Sequence, residues 1–472
     1  MTYDFITKFV GQLAPLIRQK KLSSLELTKA ILEQSYRLND QINAYINIDE
    51  EKAINMAKNA DKEIAYGNYR GVYHGIPVGI KDNIYVKNEL TTMGSKIHKD
   101  FKPAYNATVI NKLKKAGAVF TGKLNMHEYA HGPTNNNPHF GATKNPWNKK
   151  RIPGSSSGGS GAAVAAGMSI AALGTDSGGS IRIPASACGI VGIKPTHGRV
   201  SKHGVFPLAW SLDHIGPMTK TVQDAAAMLQ IISGYDPLDY SSIKYQADYN
   251  LDELDKAVND MVIGINENYF FNKVDSQVAD LVKKQVDTLV EQGAKVKLIK
   301  LPALEYAEFA ILTTLITEPS AVHHENIQSR PEDFGKDLRI LLKLGELHSA
   351  VDYLQAQQYR KLIKDDFQKA FEEIDVLITP TIPFIPPFIG DNFSFVDGEK
   401  VDLNDEVIRF TGPGNLTGLP ALSLPCGRVA GMPVGLQIIG NAFREDQVLT
   451  IGNAIERNVE FQKETLKMVN SL

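Results

Sequence analysis

Residues 154–193 read GSSSGGSGAAVAAGMSIAALGTDSGGSIRIPASACGIVGI, and this segment differs in composition from the rest of the chain. It holds ten of the 38 glycines and only two charged residues, Asp176 and Arg182. At the chain-wide charged fraction of 22%, forty residues would carry about nine. Because desolvating an unpaired charge is costly, this composition predicts a buried segment in which Asp176 pairs with Arg182. Two separate surface charges on a loop are the alternative.

Two clusters of serine and glycine lie within this segment, GSSSGGS at Gly154–Ser160 and DSGGS at Asp176–Ser180. Glycines beside a serine let a ligand approach the backbone closely, and successive N–H groups can bind an anion. In an acyl-transfer enzyme such a nest would stabilise the oxyanion of the transition state. Two clusters in one charge-poor region favour a functional site over a simple turn.

Several familiar sites do not fit these serines. No Gly-Lys-Ser/Thr follows the glycines, which excludes a phosphate-binding P-loop there, and a G-x-G-x-x-G dinucleotide motif is missing from the segment. A nucleophile elbow centred on Ser156 would need a buried strand before it, but NPWNKKRIP precedes it. A Ser–His–Asp site stays open, with six histidines near the motifs: His127, His131, His139, His197, His203 and His214. A zinc hydrolase is disfavoured because no His-Glu-x-x-His occurs, and Cys188 is expected in the core.

Alternating strand and helix patterns predict an α/β fold with helices around a parallel or mixed sheet. A length of 472 residues suits either two or three ordinary domains or one large domain. The sequence shows no low-complexity linker between domains, which favours a single large domain. Helices are predicted within residues 3–66, where Ser23 and Glu26 fit a capping box, over Thr221–Gly234 and over 351–373. A loop is predicted at Thr379–Phe388. Strands are predicted at Ile76–Ile80, Met261–Ile265, Lys295–Ile299, Asp375–Pro380, Ala421–Pro425 and Pro433–Gly440.

The overall charge disfavours one class of partner, although a local basic patch stays open. Lys and Arg number 51 against 53 Asp and Glu, so the broad basic surface of a nucleic-acid binder is missing and no nucleic-acid partner is expected. The N-terminus carries an acid at Asp4 without an apolar core, and the longest uncharged run, Gly161–Gly174, is too short to cross a bilayer. The sequence therefore predicts a cytoplasmic protein without a membrane segment, and a homodimer is compatible with it.

Four motifs resemble those of the amidase signature family. They are GIPVGIKDN (75–83), PGSSSGGSGAAVAAG (153–167), GTDSGGSIRIPASACGIVGIKPTHGRVS (174–201) and SLDHIGPMT (211–219). The likeness covers most of the chain and is strongest over 70–235 and 410–445. It implies one large domain with a mixed sheet flanked by helices. Within that domain, helices would occupy 1–68, the signature core about 70–235, a more variable region about 236–405, and a C-terminal part 406–472.

The resemblance also implies a Ser–Ser–Lys site. Ser180 would be the nucleophile, Lys81 the base, and Ser156, on a cis peptide, the serine between them. Ser157 is then a plausible supporting hydroxyl, and Asp176 and Arg182 would support the loop around Ser180. By the same match, backbone N–H groups would line the oxyanion hole at Ser177, Gly178, Gly179 and Ser180. No cofactor and no metal are expected.

Such chemistry requires a neutral lysine. A serine hydroxyl is a poor nucleophile without an adjacent base, and a lysine serves only if its pKa falls from roughly 10.4 to about 7–8, at a cost near 4 kcal/mol. Burial lowers a lysine pKa, so a nearly charge-free pocket suits Lys81. The pattern of residues alone would place Lys81 at a strand end in solvent.

The resemblance implies a small-molecule amide as the substrate. Two differences between this sequence and one branch of the family bear on which amide it is. One branch of the family is the glutaminase subunit of the tRNA-dependent amidotransferase, which has an arginine where Ile340 and Leu341 stand here and an aspartate near Ile408. Without these charged side chains, the ammonium and carboxylate of free glutamine lose their ionic partners. Arg339 or Arg409 could take the place of the missing arginine. The sequence therefore favours a stand-alone amidase. The alternative is the glutaminase subunit, and a non-catalytic binding protein is a third class. Ala130 and His131 are predicted to line the acyl pocket.

Overall fold

The computed structural model describes residues 5–245 and 254–472. The helices within these residues are α1 Val10–Arg18, α2 Ser24–Ile42, α3 Glu50–Ala65, α4 Thr108–Lys115, α5 Gly158–Ala165, α6 Arg182–Cys188, α7 Val222–Ile232, α8 Glu267–Phe270, α9 Ser276–Glu291, α10 Ala307–Val322, α11 His324–Ser329, α12 Lys336–Gly345, α13 Ala350–Ala370, α14 Leu403–Val407, α15 Gly412–Thr417, α16 Glu445–Val459 and α17 Phe461–Ser471.

The strands are β1 Tyr45–Ile48, β2 Pro77–Lys81, β3 Val119–Leu124, β4 Asn136–Asn137, β5 Gly141–Ala142, β6 Ala171–Asp176, β7 Val191–Lys194, β8 His214–Thr219, β9 Val262–Ile265, β10 Lys295–Leu298, β11 Val376–Pro380, β12 Phe393–Val396, β13 Glu399–Asp402, β14 Ala421–Val429 and β15 Met432–Gly440.

One mixed sheet of eleven strands forms the centre of the molecule, in the order β1-β3-β2-β6-β8-β7-β14-β15-β11-β9-β10. Strands β2 and β15, in its central part, are buried throughout, whereas all four residues of the edge strand β10 are exposed. Strands β2, β3 and β6 run parallel, and β8 is antiparallel to β6. The mixed α/β architecture predicted from the alternating pattern is confirmed. Among the described residues no helix is long and apolar enough to span a bilayer.

The six predicted strands are present, and so are the helices α7 and α13. Ser23 and Glu26 form the predicted capping box at the start of α2, with Ser23 Oγ accepting the Glu26 N–H. The uniformly helical reading of residues 3–66 is wrong at one place, because Tyr45–Ile48 forms β1, which pairs antiparallel with β3 at the edge of the sheet. The loop predicted over Thr379–Phe388 begins only after Pro380, since β11 includes its first two residues.

The charge-poor segment 154–193 is buried, as its composition predicts, with Ser180 the one residue of intermediate exposure. It folds into α5, β6, α6 and β7, which place both serine clusters at the sheet. The glycines of α5 allow this helix to lie close to the backbone of Asn125 and Ala44. The Gly159 N–H donates to Asn125 O at 3.0 Å, and a Cβ on Gly159 would lie 2.3 Å from that oxygen and 2.6 Å from Ala44 O.

We expect Gly159→Ala to lower the thermal midpoint of unfolding by about 1–3 °C, because the added methyl group meets rigid backbone oxygens and overpacking typically costs about 1–3 kcal/mol. Gly11→Ala in α1 is the matched control. Its Cβ would make only ordinary contacts, the nearest being Phe9 at 3.4 Å, so losing a helical glycine should be neutral or stabilising. Equal midpoints for Gly159→Ala and the wild type would contradict the close approach.

Candidate active site

Three elements bring the predicted site residues together. Parallel strands β2 and β6 are neighbours and pair Ile80 with Leu173, so their carboxyl ends lie side by side. Lys81 is the last residue of β2, and Asp176 is the last residue of β6. The turn before α5 supplies Ser156 and Ser157, and the Ser155–Ser156 peptide bond is cis, as the resemblance implies.

The Lys81 amine lies at the centre of this arrangement and has no exposed surface. Its Nζ is 2.8 Å from each of three hydroxyl oxygens, Ser156 Oγ, Ser157 Oγ and Thr175 Oγ1. Burial lowers the pKa of Lys81 from 10.5 to about 7, against the opposing influence of Asp176 and Asp213. An amine with this pKa is substantially neutral at physiological pH.

The hydrogen bonds around the amine distinguish the three hydroxyls. Ser157 Oγ donates its hydrogen to Thr175 O at 3.1 Å, so it can only accept from Lys81. Thr175 Oγ1 also accepts from Asn83 Nδ2 at 3.2 Å. Within the described part of the chain Ser156 Oγ has no hydrogen-bond partner besides Lys81. A neutral amine has one lone pair, so one hydroxyl can donate into it: Ser157 cannot, whereas Ser156 and Thr175 each keep a hydrogen for it. Of these two, Ser156 is the one that the resemblance predicts in the relay.

Asp176 and Arg182 form the predicted buried pair, and this prediction is confirmed. Arg182 Nε and Nη2 donate to the two Asp176 oxygens at 3.0 Å each, and neither side chain is exposed. Burial alone would raise the pKa of Asp176, but the pairing with Arg182 lowers it to about 2. The remaining guanidinium hydrogens are donated to Thr411 O, Gln437 Oε1 and Asn415 Oδ1.

This pair shapes the turn that carries Ser180. The Asp176 carboxylate accepts the backbone N–H groups of Gly179 at 2.8 Å and Ile181 at 3.1 Å. The Gly179 amide is therefore engaged by Asp176, which argues against its predicted role as an oxyanion donor. The amides of Ser177, Gly178 and Ser180 have no acceptor among the described residues, and they stay the predicted donors.

Ser180 faces a cavity of about 110 Å³. Its Oγ has no hydrogen-bond partner among the described residues. The hydrogen bond between Ser180 and Ser156 along which the predicted proton transfer would run is therefore not formed in this structure. Ala130 and His131, which are predicted to line the acyl pocket, line this cavity. Further lining comes from the apolar side chains of Leu315, Ile316, Leu341 and Ile408.

No charged side chain in the described ranges lines this cavity. Leu341 and Ile408, which the resemblance predicts at or near positions of charged residues in the amidotransferase branch, both line it. Arg339 pairs with Glu332 at the surface, and Arg409 pairs with Glu406 and donates to Lys273 O at 2.8 Å. Neither arginine lines the cavity, so the substitution considered from the sequence does not occur.

Two of the six histidines pair with carboxylates. His127 Nε2 is 2.9 Å from Asp337, and His139 Nε2 is 2.9 Å from Glu128. Burial and the neighbouring His127 lower the pKa of His131 to about 4. None of the six imidazoles is hydrogen-bonded to Ser156 or Ser180 in the described residues, which argues against a histidine base. In the same residues no three His, Cys, Asp or Glu side chains are arranged to hold a metal ion, and Cys188 is buried in the core.

Sequence reasoning missed several residues that hold the site. Thr175 contacts the amine, Asn83 contacts Thr175, and Asn415 Nδ2 donates to Asp176 at 2.9 Å. Each lies in or beside a distinctive stretch of sequence, TDSGGS, GIKDN or NLTGLP, but spacing alone does not say which polar residue of a motif touches the base.

Comparisons with known proteins show the family of this chain. A family model described as Amidase matches residues 26–449. A glutamyl-tRNA(Gln) amidotransferase subunit from Natranaerobius thermophilus is 39% identical over 475 residues, which cover 95% of this chain and 94% of that protein.

Solved structures with the same fold include one described as a crystal structure of an amidase. It has 32% identity and a TM-score of 0.87 and covers 96% of this chain and 100% of its own. Another is described as a vestigial protein complex that reveals the evolutionary origins of an s-triazine catabolic enzyme. It has 30% identity and a TM-score of 0.91 and covers 96% of this chain and 98% of its own. The chain therefore belongs to the amidase signature family, whose members are hydrolases of carbon–nitrogen amide bonds.

Proposed function

We propose that this chain hydrolyses carboxylic amides with an apolar acyl group through a covalent ester on Ser180. The observation that carries the proposal is the buried Lys81 amine, 2.8 Å from Ser156 Oγ and beside a turn with free backbone amides. The apolar, uncharged cavity next to Ser180 supports the choice of acyl group.

The reaction begins with neutral Lys81. The amine takes the Ser156 proton, Ser156 takes the Ser180 proton, and Ser180 Oγ attacks the carbonyl carbon. The hydroxyls of Ser156 and Ser180 must approach each other for this step, and catalytic hydrogen bonds often tighten only when substrate binds. Backbone amides of the turn hold the oxyanion, each donor contributing roughly 3–4 kcal/mol of transition-state stabilisation.

Collapse of the tetrahedral intermediate breaks the carbon–nitrogen bond. The leaving nitrogen takes a proton from Ser156, which recovers one from the Lys81 ammonium. Ammonia or an amine departs, and the acyl group stays on Ser180 as an ester. Water then attacks the ester by the same relay, which releases the carboxylic acid and restores Ser180.

A second candidate function is the glutamine-hydrolysing subunit of a tRNA-dependent amidotransferase. The names of the curated relatives favour it, since the relative from N. thermophilus is an amidotransferase subunit that matches this chain over nearly its full length. The cavity beside Ser180 disfavours it, because free glutamine carries an ammonium and a carboxylate and neither finds a charged partner there. If this candidate is right, the chain acts with partner subunits.

The purified chain alone should hydrolyse an apolar primary amide such as hexanamide at least tenfold more efficiently than free glutamine, measured as kcat/KM from ammonia release. Ser180→Ala should lower the hexanamide rate about a thousandfold or more, because it removes the attacking atom. Ser160→Ala is the matched control. Ser160 lies in α5, where its Oγ donates to Leu173 O at 3.1 Å and forms no other hydrogen bond in the described part of the chain, and this variant should keep its activity.

Wild-type hexanamide turnover in Ser180→Ala would overturn the nucleophile assignment. Glutamine turnover that requires added partner subunits, with no turnover of hexanamide, would overturn the apolar substrate class and support the second candidate.

The pH dependence of kcat/KM should follow Lys81, whose pKa is about 7. Below that value the ammonium cannot accept the Ser156 proton, so kcat/KM should fall about tenfold per pH unit, and above it the rate should level off. Lys81→Arg should be inactive across the range because a guanidinium stays protonated. An acidic limb centred near pH 4, or a rate that still climbs at pH 10, would contradict a lysine base with this pKa.

A further inference from the structure

The hydroxyl of Thr175 competes with that of Ser156 for the lone pair of the Lys81 amine. Both oxygens are 2.8 Å from Lys81 Nζ, and each hydroxyl keeps a hydrogen that it can donate. If Thr175 donates into the lone pair, the amine gives its own N–H groups to the two serine hydroxyls and cannot take a proton from either. Proton transfer through Ser156 therefore requires another acceptor for the Thr175 hydrogen.

The side chain of Asn83 lies within reach of the Thr175 hydroxyl. Among the described residues Thr175 Oγ1 has two partners, the Lys81 amine at 2.8 Å and Asn83 Nδ2 at 3.2 Å. Asn83 is 3% exposed, and its backbone oxygen accepts the Phe206 N–H at 2.9 Å. The residue is therefore held beside Thr175, and its amide group can take two orientations that differ by a half turn.

One end of the Asn83 amide is unsatisfied. While Nδ2 faces Thr175, the buried Oδ1 has no hydrogen-bond partner in the described ranges. Buried acceptors without a partner are rare in folded proteins. A half turn of the amide exchanges its two ends, which have nearly the same size, and places Oδ1 close to the present position of Nδ2. The oxygen then faces the Thr175 hydroxyl.

The two orientations of the amide have opposite effects on Thr175. With Nδ2 facing it, Thr175 already accepts from Asn83, and the described residues offer its own hydrogen no acceptor except the Lys81 lone pair. With Oδ1 facing it, Thr175 donates to Asn83 and accepts an N–H from Lys81. The lone pair of the amine is then left for Ser156, since Ser157 donates its hydrogen to Thr175 O.

The protonated form of the amine favours the same orientation of Asn83. An ammonium carries three N–H groups and can donate to all three hydroxyl oxygens around it. Thr175 cannot then donate to Lys81, so its hydrogen needs the Asn83 oxygen. The Oδ1 orientation therefore suits both protonation states of the amine, whereas the Nδ2 orientation suits only a neutral amine whose lone pair is blocked by Thr175.

We propose that Asn83 is a positioning residue of the relay, and that its side-chain oxygen accepts the Thr175 hydrogen during turnover. Asn83 acts through Thr175 and does not touch the reacting atoms. The inference rests on the proposed hydrolysis through Ser180, in which Lys81 must take its proton from Ser156. It explains why a polar amide is buried beside the amine in place of an apolar side chain.

Asn83→Leu tests the inference, because leucine has nearly the shape of asparagine but offers no acceptor. The Thr175 hydrogen should then go to the Lys81 lone pair and lower the high-pH plateau of kcat/KM for hexanamide about tenfold. The titration midpoint of Lys81, followed by ¹³C NMR on lysine-labelled protein, should fall by roughly half a pH unit or more, because only the ammonium form loses its acceptor for Thr175. Asn111→Leu, at an exposed position of α4, is the matched control and should leave both values unchanged.

Two further variants separate an action through Thr175 from a general loss of polarity. Asn83→Asp keeps an oxygen acceptor in either protonation state, so it should recover most of the plateau that Asn83→Leu loses. In a Thr175→Val background the competing hydrogen is missing, and adding Asn83→Leu should change the plateau by less than about twofold. A loss of the same size in that background, or a wild-type plateau in Asn83→Leu itself, would overturn the inference.

Failure of the proposed function has a different signature. If the wild-type protein released no ammonia from hexanamide, hydrolysis of this substrate through Ser180 would be overturned. The Lys81 midpoint needs no turnover and would still test the role of Asn83. An equal midpoint in the wild type and in Asn83→Leu would overturn that role, whereas a fall that disappears in the Thr175→Val background would support it.

Discussion

Burial of the Lys81 amine is the constraint on which the site depends. Lowering its pKa from 10.5 to about 7 corresponds to roughly 5 kcal/mol at the usual 1.36 kcal/mol per pKa unit. The fold supplies this through the complete burial of the end of β2 and through three hydroxyl oxygens in place of water. A carboxylate in contact with the amine would restore its charge. The nearest influences, from Asp176 and Asp213, only partly oppose the burial.

The Asp176–Arg182 pair allows a carboxylate to stay near the amine without pairing with it. Arg182 donates all five of its N–H hydrogens to buried acceptors, so Asp176 is fully engaged and its pKa stays low. Buried pairs of this kind add little net stability, because the cost of desolvation offsets the attraction. In this chain the pair fixes the turn at Gly179, whose amide bonds to Asp176, while the described residues offer no acceptor to the neighbouring amides.

The sequence predicts some of this and misses the rest for physical reasons. Missing charges predict burial of residues 154–193, and two isolated charges there predict a pair, because both follow from the cost of desolvation. Strands β6, β7 and β8 are not evident, since strands that are buried on both faces lack the alternation of apolar and polar residues. Lys81 is indistinguishable from a surface lysine without the family resemblance. Thr175 becomes important only through the parallel register of β2 and β6, which is a long-range property.

The protonation of Lys81 can be observed directly by NMR on protein labelled with ¹³C at the lysine ε-carbons. The Lys81 signal is assigned by its loss in Lys81→Arg, and its chemical shift is followed from pH 5 to pH 11. A titration midpoint near pH 7 is expected, well below the other lysine signals at the surface. A midpoint near 10 would show a charged amine at physiological pH, and a lysine relay to Ser180 would then be excluded.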